Sequence, residues 1–122
     1  MPQQLQAPLH SVQVRASTKS LQKRLAALRD EDASANDWRQ LQFDSMREYL
    51  SGQRRFIALH TELLTVLTAD RELHRRQRHE ALELFLALAE LHDLVRAIGA
   101  QLTASARDAR SAGFARRART RA

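Results

Sequence analysis

The chain has 122 residues, which is enough for one domain, and carries a formal net charge of +6 with no cysteine. The lack of cysteine excludes disulfides and thiolate metal sites. Leu, Ala, Arg, Gln and Glu dominate the composition, and both prolines fall within the first eight positions. Because these residues favour helices, the composition predicts an all-α fold.

The N-terminal part is predicted to contain a leader and a first helix. Residues 1–16 include Pro2 and Pro8 and show no sustained apolar period, which predicts a flexible leader. A first helix is expected from Ser17 or Thr18 to about residue 32. Its apolar side chains recur at steps of four and three residues: Leu21, Leu25 and Leu28.

A second helix is expected from Asp37 to about Thr68, with Ser34 or Asn36 as its N-cap. Gly52 either ends one helix or lies inside a longer one at a cost of about 1 kcal/mol relative to alanine. The apolar pattern stays in phase across the glycine if Gln53 and His60 occupy seam positions, so one long helix with a kink allowed at Gly52 is favoured. The residues of that pattern are Trp38, Leu41, Met46, Tyr49, Leu50, Phe56, Ile57, Leu63, Leu64 and Leu67.

The third helix carries the strongest periodicity of the chain. Its apolar seam alternates steps of three and four residues: Ala81, Leu84, Leu88, Leu91, Val95, Ile98 and Leu102. The helix begins either at Arg71 or, if the basic segment 71–79 is a loop, near Glu80. Gly113 is expected to end it and to leave a basic tail over residues 113–122. The helical domain is therefore predicted to span residues 17–112.

These elements predict an antiparallel helical hairpin of two long helices with one shorter helix beside it. The first helix covers only about half the length of helices of about 30 residues. Part of the apolar groove then lacks a cover within the chain. We therefore expect a bundle that is completed by dimerisation or by a partner.

Enzymatic chemistry finds no support in the sequence. There is no glycine-rich phosphate loop, no nucleophile elbow and no cysteine nucleophile. The histidines lack metal-ligand spacing, since His74 and His79 are five residues apart and cannot meet at one metal ion on a helix. We expect no enzyme activity, no cofactor and no metal. The apolar run near residue 90 contains several charges, which excludes a membrane span, and with no secretory signal visible the default expectation is a cytoplasmic protein.

A second apolar face on the second helix is the main functional candidate. Phe43 and Met46 cannot point into the same seam as Trp38 and Leu41, so this side is either the edge of a wide core or a binding patch. The predicted partner-binding residues are Trp38, Phe43, Met46, Leu50 and Phe56. The expected function is a non-enzymatic helical interaction module, such as a regulator that sequesters a target protein, a chaperone or an adaptor, with an acidic protein partner and homo-oligomerisation.

The alternative function is a nucleic-acid-associated basic helical dimer. Arginine clusters flank the third helix's seam and would contact phosphates without reading sequence. Against this alternative, aromatic residues are nearly missing from the basic segments. The candidate phosphate-binding residues are Arg75, Arg76, Arg78, Arg116, Arg117, Arg119 and Arg121.

Overall fold

The chain forms a bundle of long helices, seen in a computed structural model that describes residues 9–66 and 71–120. Helix α1 spans His10–Asp30, α2 spans Ala35–Val66 and α3 spans Arg71–Thr120. The described residues contain no strand, which confirms the predicted all-α class. Each helix packs against the other two.

The order of the contacts gives the direction of each helix pair. In α2 and α3, Tyr49 lies beside His92 and Phe56 beside Phe85, with ring centroids 5.3 and 6.2 Å apart. Residue numbers rise in α2 as they fall in α3, so these two helices run in opposite directions. The contacts of α1 give its direction in the same way. It runs opposite to α2, as the pairs Ser17–Glu48 and Arg24–Asp44 show. It runs parallel to α3, as the pairs Ser11–Glu80 and Arg15–Glu83 show.

The core lies along the predicted seam of α3. Leu84, Leu91 and Ile98 have no exposed surface, and Leu41 of α2 meets them with none either. Val95 and Leu102, the remaining bulky seam residues towards the C-terminal end, are partly buried against this core. From α1 the core receives Val14, Leu21 and Leu25, and from α2 it also receives Trp38 and Leu59.

Small polar residues complete the core where the helices come close. Thr18 and Ser45 are buried, and each hydroxyl donates to a carbonyl of its own helix: Thr18 to Val14 (3.0 Å) and Ser45 to Gln42 (2.8 Å). Since these hydroxyls are satisfied locally, they enter the interior without an unpaired polar group.

Gly52 lies inside α2, so this helix is continuous as the sequence favoured. A Cβ atom at Gly52 would lie 2.5 Å from Leu88 Cδ2 and 3.4 Å from Val14 Cγ2. The three helices therefore approach one another at this residue, and the missing side chain is what permits the approach.

Helix α1 begins at His10, within the segment 1–16 that was predicted to be a leader, and that prediction is wrong for residues 10–16. The reason is a cap supplied by another helix. Leu9 gives no side-chain cap, but the Ser11 backbone N–H and hydroxyl donate to the Glu80 carboxylate at 2.8 and 3.0 Å. A carboxylate at a helix N-terminus also interacts favourably with the helix dipole. Residues 1–8 of the predicted leader lie outside the described residues.

Helix α2 is capped by Ser34, the first of the two predicted N-caps, and begins at Ala35 and not at Asp37. The Asp37 backbone N–H donates to Ser34 Oγ (3.2 Å), and the Ser34 N–H and hydroxyl donate to the Asp37 carboxylate (3.1 and 2.9 Å). This reciprocal pattern is a capping box, which satisfies backbone donors that the first turn leaves free.

Helix α3 begins at Arg71, the earlier of the two predicted starts, and continues to Thr120. The predicted end at Gly113 and the separate tail 113–122 are therefore wrong up to residue 120. Gly113 has no positive φ and so does not form the left-handed cap that ends many helices. The residues after it are mostly alanine and arginine, which are strong helix formers. Residues 121 and 122 lie outside the described residues.

Candidate partner-binding face

Helix α2 carries two apolar stripes that face in different directions. Where two bulky residues adjoin, the first is partly buried and the second is exposed: Tyr49 and Leu50, Phe56 and Ile57, Leu63 and Leu64. The exposed stripe repeats every seven residues and consists of Phe43, Leu50, Ile57 and Leu64, which are 61, 53, 64 and 71 % exposed. Met46, 48 % exposed, lies one turn from Phe43 and Leu50.

Helix α3 presents a matching apolar patch. Leu82, Phe85 and Leu86 are about half exposed, at 55, 57 and 46 %. Ala89, which is also exposed, lies one turn beyond Phe85. Residues three and four apart share one side of a helix, so these side chains form one surface.

A groove joins the two helices beside these stripes. Its volume is about 300 Å³. Its lining comes from α2 and α3 with no α1 residue: Tyr49, Gln53, Phe56, Phe85, Leu88, Ala89 and His92. We call the groove and the flanking exposed stripes the open face, namely Phe43, Met46, Leu50, Ile57 and Leu64 of α2 and Leu82, Phe85, Leu86 and Ala89 of α3.

Arginines surround the open face. Helical spacing puts exposed arginines three, four or seven residues from its apolar side chains. They are Arg39 and Arg54 of α2 and Arg75, Arg78 and Arg96 of α3. Arg47 has the same spacing, but it lines the pocket beside α1 together with Asp44 and Glu48. Within the described part of the chain, the same spacing puts two exposed acids beside them, Glu90 four residues after Leu86 and Asp93 four residues after Ala89, and Glu72 lies 3.9 Å from Arg75. The open face is thus apolar along its centre and positive at its rim.

The side that α1 covers has the opposite charge. There α2 and α3 present carboxylates to α1: Arg24 pairs with Asp44 at 2.9 Å and Arg15 pairs with Glu83 at 2.7 Å. The hydrogen bond from Arg15 lowers the pKa of the Glu83 carboxyl, and it raises the pKa of Arg15 in turn. Four acids of α2 and α3 therefore contact α1, namely Asp44, Glu48, Glu80 and Glu83.

The predicted partner-binding residues divide between the core and the open face. Phe43, Met46 and Leu50 are exposed on the open face. Phe56 is partly buried and forms the wall of the groove beside Phe85. Trp38 is only 5 % exposed and belongs to the core, so placing it in a binding site was wrong. It falls on the inward stripe of α2 together with Leu41.

The candidate phosphate-binding arginines are only partly described. Arg75 and Arg76 are highly exposed and lie 3.9 and 3.7 Å from the Glu72 carboxylate on the same helix. Arg78 is exposed on the rim of the open face. The side chains of Arg116, Arg117 and Arg119, and the whole of Arg121, lie outside the described residues.

Sequence reasoning missed most of the open face. Ile57 and Leu64 were assigned to the core stripe of α2, and Leu82, Phe85 and Leu86 were not assigned to any site. The available signal was the seven-residue repeat of bulky apolar residues that starts at Phe43, which is typical of a seam between helices.

Neither a metal centre nor a membrane span is found in the described residues. Within residues 9–66 and 71–120, no three His, Cys, Asp or Glu side chains are grouped so that they could hold a metal ion. No helix in these ranges combines the length and apolar character needed to cross a bilayer. Comparisons of the chain with protein-family models, with curated proteins and with solved structures found no match.

Proposed function

We propose that this protein is a non-enzymatic helical interaction module that binds a helix of a partner protein on the open face. The observation that carries the proposal is the exposed repeat Phe43, Leu50, Ile57 and Leu64 on α2, next to the exposed apolar patch of α3. Soluble monomers rarely expose contiguous apolar patches of this kind unless the patch binds something.

The spacing of the repeat indicates what shape of ligand fits. The residues of a seven-residue repeat occupy the first core position of successive heptads. Three residues later, the second core position is taken by Met46, Gln53 and His60. Such a seam packs against another helix by inserting its side chains between those of the partner. The adjoining groove between α2 and α3 offers the floor on which a fourth helix would lie.

A fourth helix would complete the bundle. Helix α1 fills one groove of the α2–α3 pair, and the groove on the other side is open. A regulator that sequesters its target, a chaperone or an adaptor would act by holding a partner helix in that position. A second copy of the chain would be the homo-oligomeric form of the same arrangement.

Site-specific photo-crosslinking in the cells that express the protein tests this proposal. A benzophenone amino acid at Gln53, in the floor of the groove, is expected to capture a protein. The same group at Ser20, an exposed position on α1, is the matched control and should not capture that protein. Leu50→Asp and Ile57→Asp should each abolish the adduct at position 53, because a buried unpaired carboxylate is strongly unfavourable.

Stability must be unchanged for this test to report on binding. Both aspartate variants replace exposed residues, so each should alter the free energy of unfolding by no more than about 0.5 kcal/mol, and circular dichroism checks this. Equal crosslinking from positions 20 and 53, or adducts that persist in both aspartate variants, would contradict binding at the open face.

The exposed arginines also give the alternative function, nucleic-acid binding, a specific observation in its favour. Arg75, Arg76 and Arg78 are exposed at the start of α3. Phosphate contacts would make binding to a DNA or RNA duplex fall steeply with salt, whereas helix packing at the open face would tolerate moderate salt. Duplex binding that is lost in Arg75→Glu and Arg78→Glu, but kept in Leu50→Asp, would favour the alternative.

A further inference from the structure

We infer that the occupant of the open face is an acidic amphipathic helix from another protein. This inference rests on the proposed function and adds the chemistry of the partner to it. It follows from three features: the positive charge of the rim, the ion pairs that hold α1 on the opposite side, and the arginines that a second copy would bring to the same face.

The rim selects for negative charge. Arg54 lies one turn after Leu50 on α2, and on α3 Arg78 lies one turn before Leu82 and Arg96 two turns after Ala89. A helix in the groove would place the residues at the margins of its apolar stripe beside these arginines. Glutamate or aspartate at those margins would form charge pairs, whereas lysine or arginine would face like charges.

The contact between α1 and the rest of the bundle shows the same principle with the signs reversed. On that side, α2 and α3 supply carboxylates, and the helix that packs there brings Arg15 and Arg24 to meet them. Residues 1–29, which include most of α1, contain no acidic residue at all. One pair of helices thus has an acidic groove filled by a basic helix and an arginine-rimmed groove that suits an acidic one.

A second copy of this chain is a poor match for the open face. In a two-fold symmetric dimer each copy contributes the same patch. The arginines of one rim would then lie against the arginines of the other, and the acids near that face among the described residues, Glu72, Glu90 and Asp93, are fewer than those arginines. Like charges brought together at an interface oppose association.

Two synthetic helical peptides test the inference with the full-length chain. Both are about four heptads long, with leucine and isoleucine at the core positions. One has glutamate at the positions flanking the seam and the other has lysine. Binding is measured by fluorescence anisotropy of the labelled peptides, and the chain's own association state is measured by sedimentation equilibrium.

We expect the glutamate peptide to bind about tenfold or more tightly than the lysine peptide. The triple variant Arg54→Glu, Arg78→Glu and Arg96→Glu should reverse this preference. The matched control is Lys19→Glu, Lys23→Glu and Arg29→Glu, which changes net charge equally at exposed α1 positions and should keep the preference.

Each other outcome overturns a defined part of the argument. Equal affinity for both peptides, lost in Leu50→Asp, would keep the open face as a binding site and refute the acidic partner. Binding of neither peptide, with self-association that Leu50→Asp abolishes, would assign the face to a second copy. Binding of neither peptide without self-association would refute the proposed function itself. A DNA duplex that binds through the three arginines when the glutamate peptide does not would assign the face to nucleic acid.

Discussion

Replacing Gly52 with alanine is expected to give little or none of the stabilisation that this replacement normally gives inside a helix. At Gly52 the new Cβ would lie 2.5 Å from Leu88 Cδ2 and 3.4 Å from Val14 Cγ2. At Gly99 it would lie 3.5 Å from Gln42 Nε2, an ordinary contact. Gly99→Ala is therefore a matched control that has the same helix-propensity gain without the clash.

The size of the effect follows from two opposing contributions. Alanine in place of glycine stabilises a helix interior by about 1 kcal/mol. To restore an ordinary carbon–carbon distance, Leu88 Cδ2 must move by about 1 Å. Leu88 Cδ2 is the end of a flexible side chain that borders the groove between α2 and α3, so this movement should cost about 1 kcal/mol, the low end for overpacking. We expect Gly52→Ala to be less stable than Gly99→Ala by about 1 kcal/mol.

Urea unfolding followed by circular dichroism measures this difference. Both variants should keep the helical signal of the unmodified chain before the transition, and Gly99→Ala should shift the midpoint upwards. Equal stabilisation by Gly52→Ala and Gly99→Ala would show that α1, α2 and α3 do not approach one another at Gly52 in solution, and the packing described above would then be wrong.

Three further predictions concern the core, the cap of α1 and its ion pair. Trp38→Ala should lower the free energy of unfolding by about 3–5 kcal/mol because Trp38 is buried. Phe43→Ala should change it by less than about 0.5 kcal/mol because Phe43 is exposed. Equal losses in urea unfolding would contradict this assignment. Glu80→Ala should lower the free energy of unfolding by about 1.5–3 kcal/mol because it leaves the buried Ser11 donors unpaired. Glu80→Gln keeps one acceptor and should lower it less. A Glu80→Ala variant as stable as the unmodified chain would show that this cap is not formed. The lowered pKa of Glu83 means that its pair with Arg15 stabilises the fold above the ordinary glutamate pKa and stops doing so as the pH falls through the lowered value. At neutral pH the unmodified chain should therefore unfold at a slightly higher temperature than Glu83→Gln, and this difference in unfolding temperature should vanish in acid and shrink with salt. A difference that does not depend on pH would argue against the ion pair.

Local signals in the sequence were sufficient for the number of helices and for the α3 seam, but not for the start of α1 or the end of α3. The capping box at Ser34 and Asp37 and the three-four alternation from Ala81 to Leu102 each depend on residues a few positions apart. Such patterns are read directly from the chain. The continuity of α2 through Gly52 followed from the same periodicity.

The start of α1 depended on a residue far away in the chain. Ser11 is capped by Glu80, sixty-nine positions later, and Leu9 gives no local cap. No local pattern around His10 indicates a helix start, because the partner carboxylate is brought there only by the fold. The burial of Ser45 also depends on the packing of the helices. Its hydroxyl donates to a carbonyl of its own helix, and its small side chain lets the helices approach one another.

The two stripes of α2 could not be separated from sequence because the bulky residues come in adjacent pairs. A helix turns by about 100° per residue, so Tyr49 and Leu50 face different neighbours. Deciding which one faces inward requires the positions of α1 and α3. Once Trp38 and Leu41 are fixed in the core, Tyr49, Phe56 and Leu63 follow inward and their neighbours are left outside.

The arrangement of charge argues that the outward stripe is there for binding. A helix that only had to fold would carry polar residues on its outer side, yet α2 has Leu50, Ile57 and Leu64 there, each more than half exposed. Arg54 lies between Leu50 and Ile57, whereas Arg47 lines the pocket beside α1 together with Asp44 and Glu48. Arginine at the margins keeps an apolar surface soluble, and it also lends that surface a preference for negative partners. Helices α2 and α3 bind the basic helix α1 in an acidic groove. Their second groove, at the open face, has the opposite charge and is therefore most simply explained as the binding site of an acidic helix.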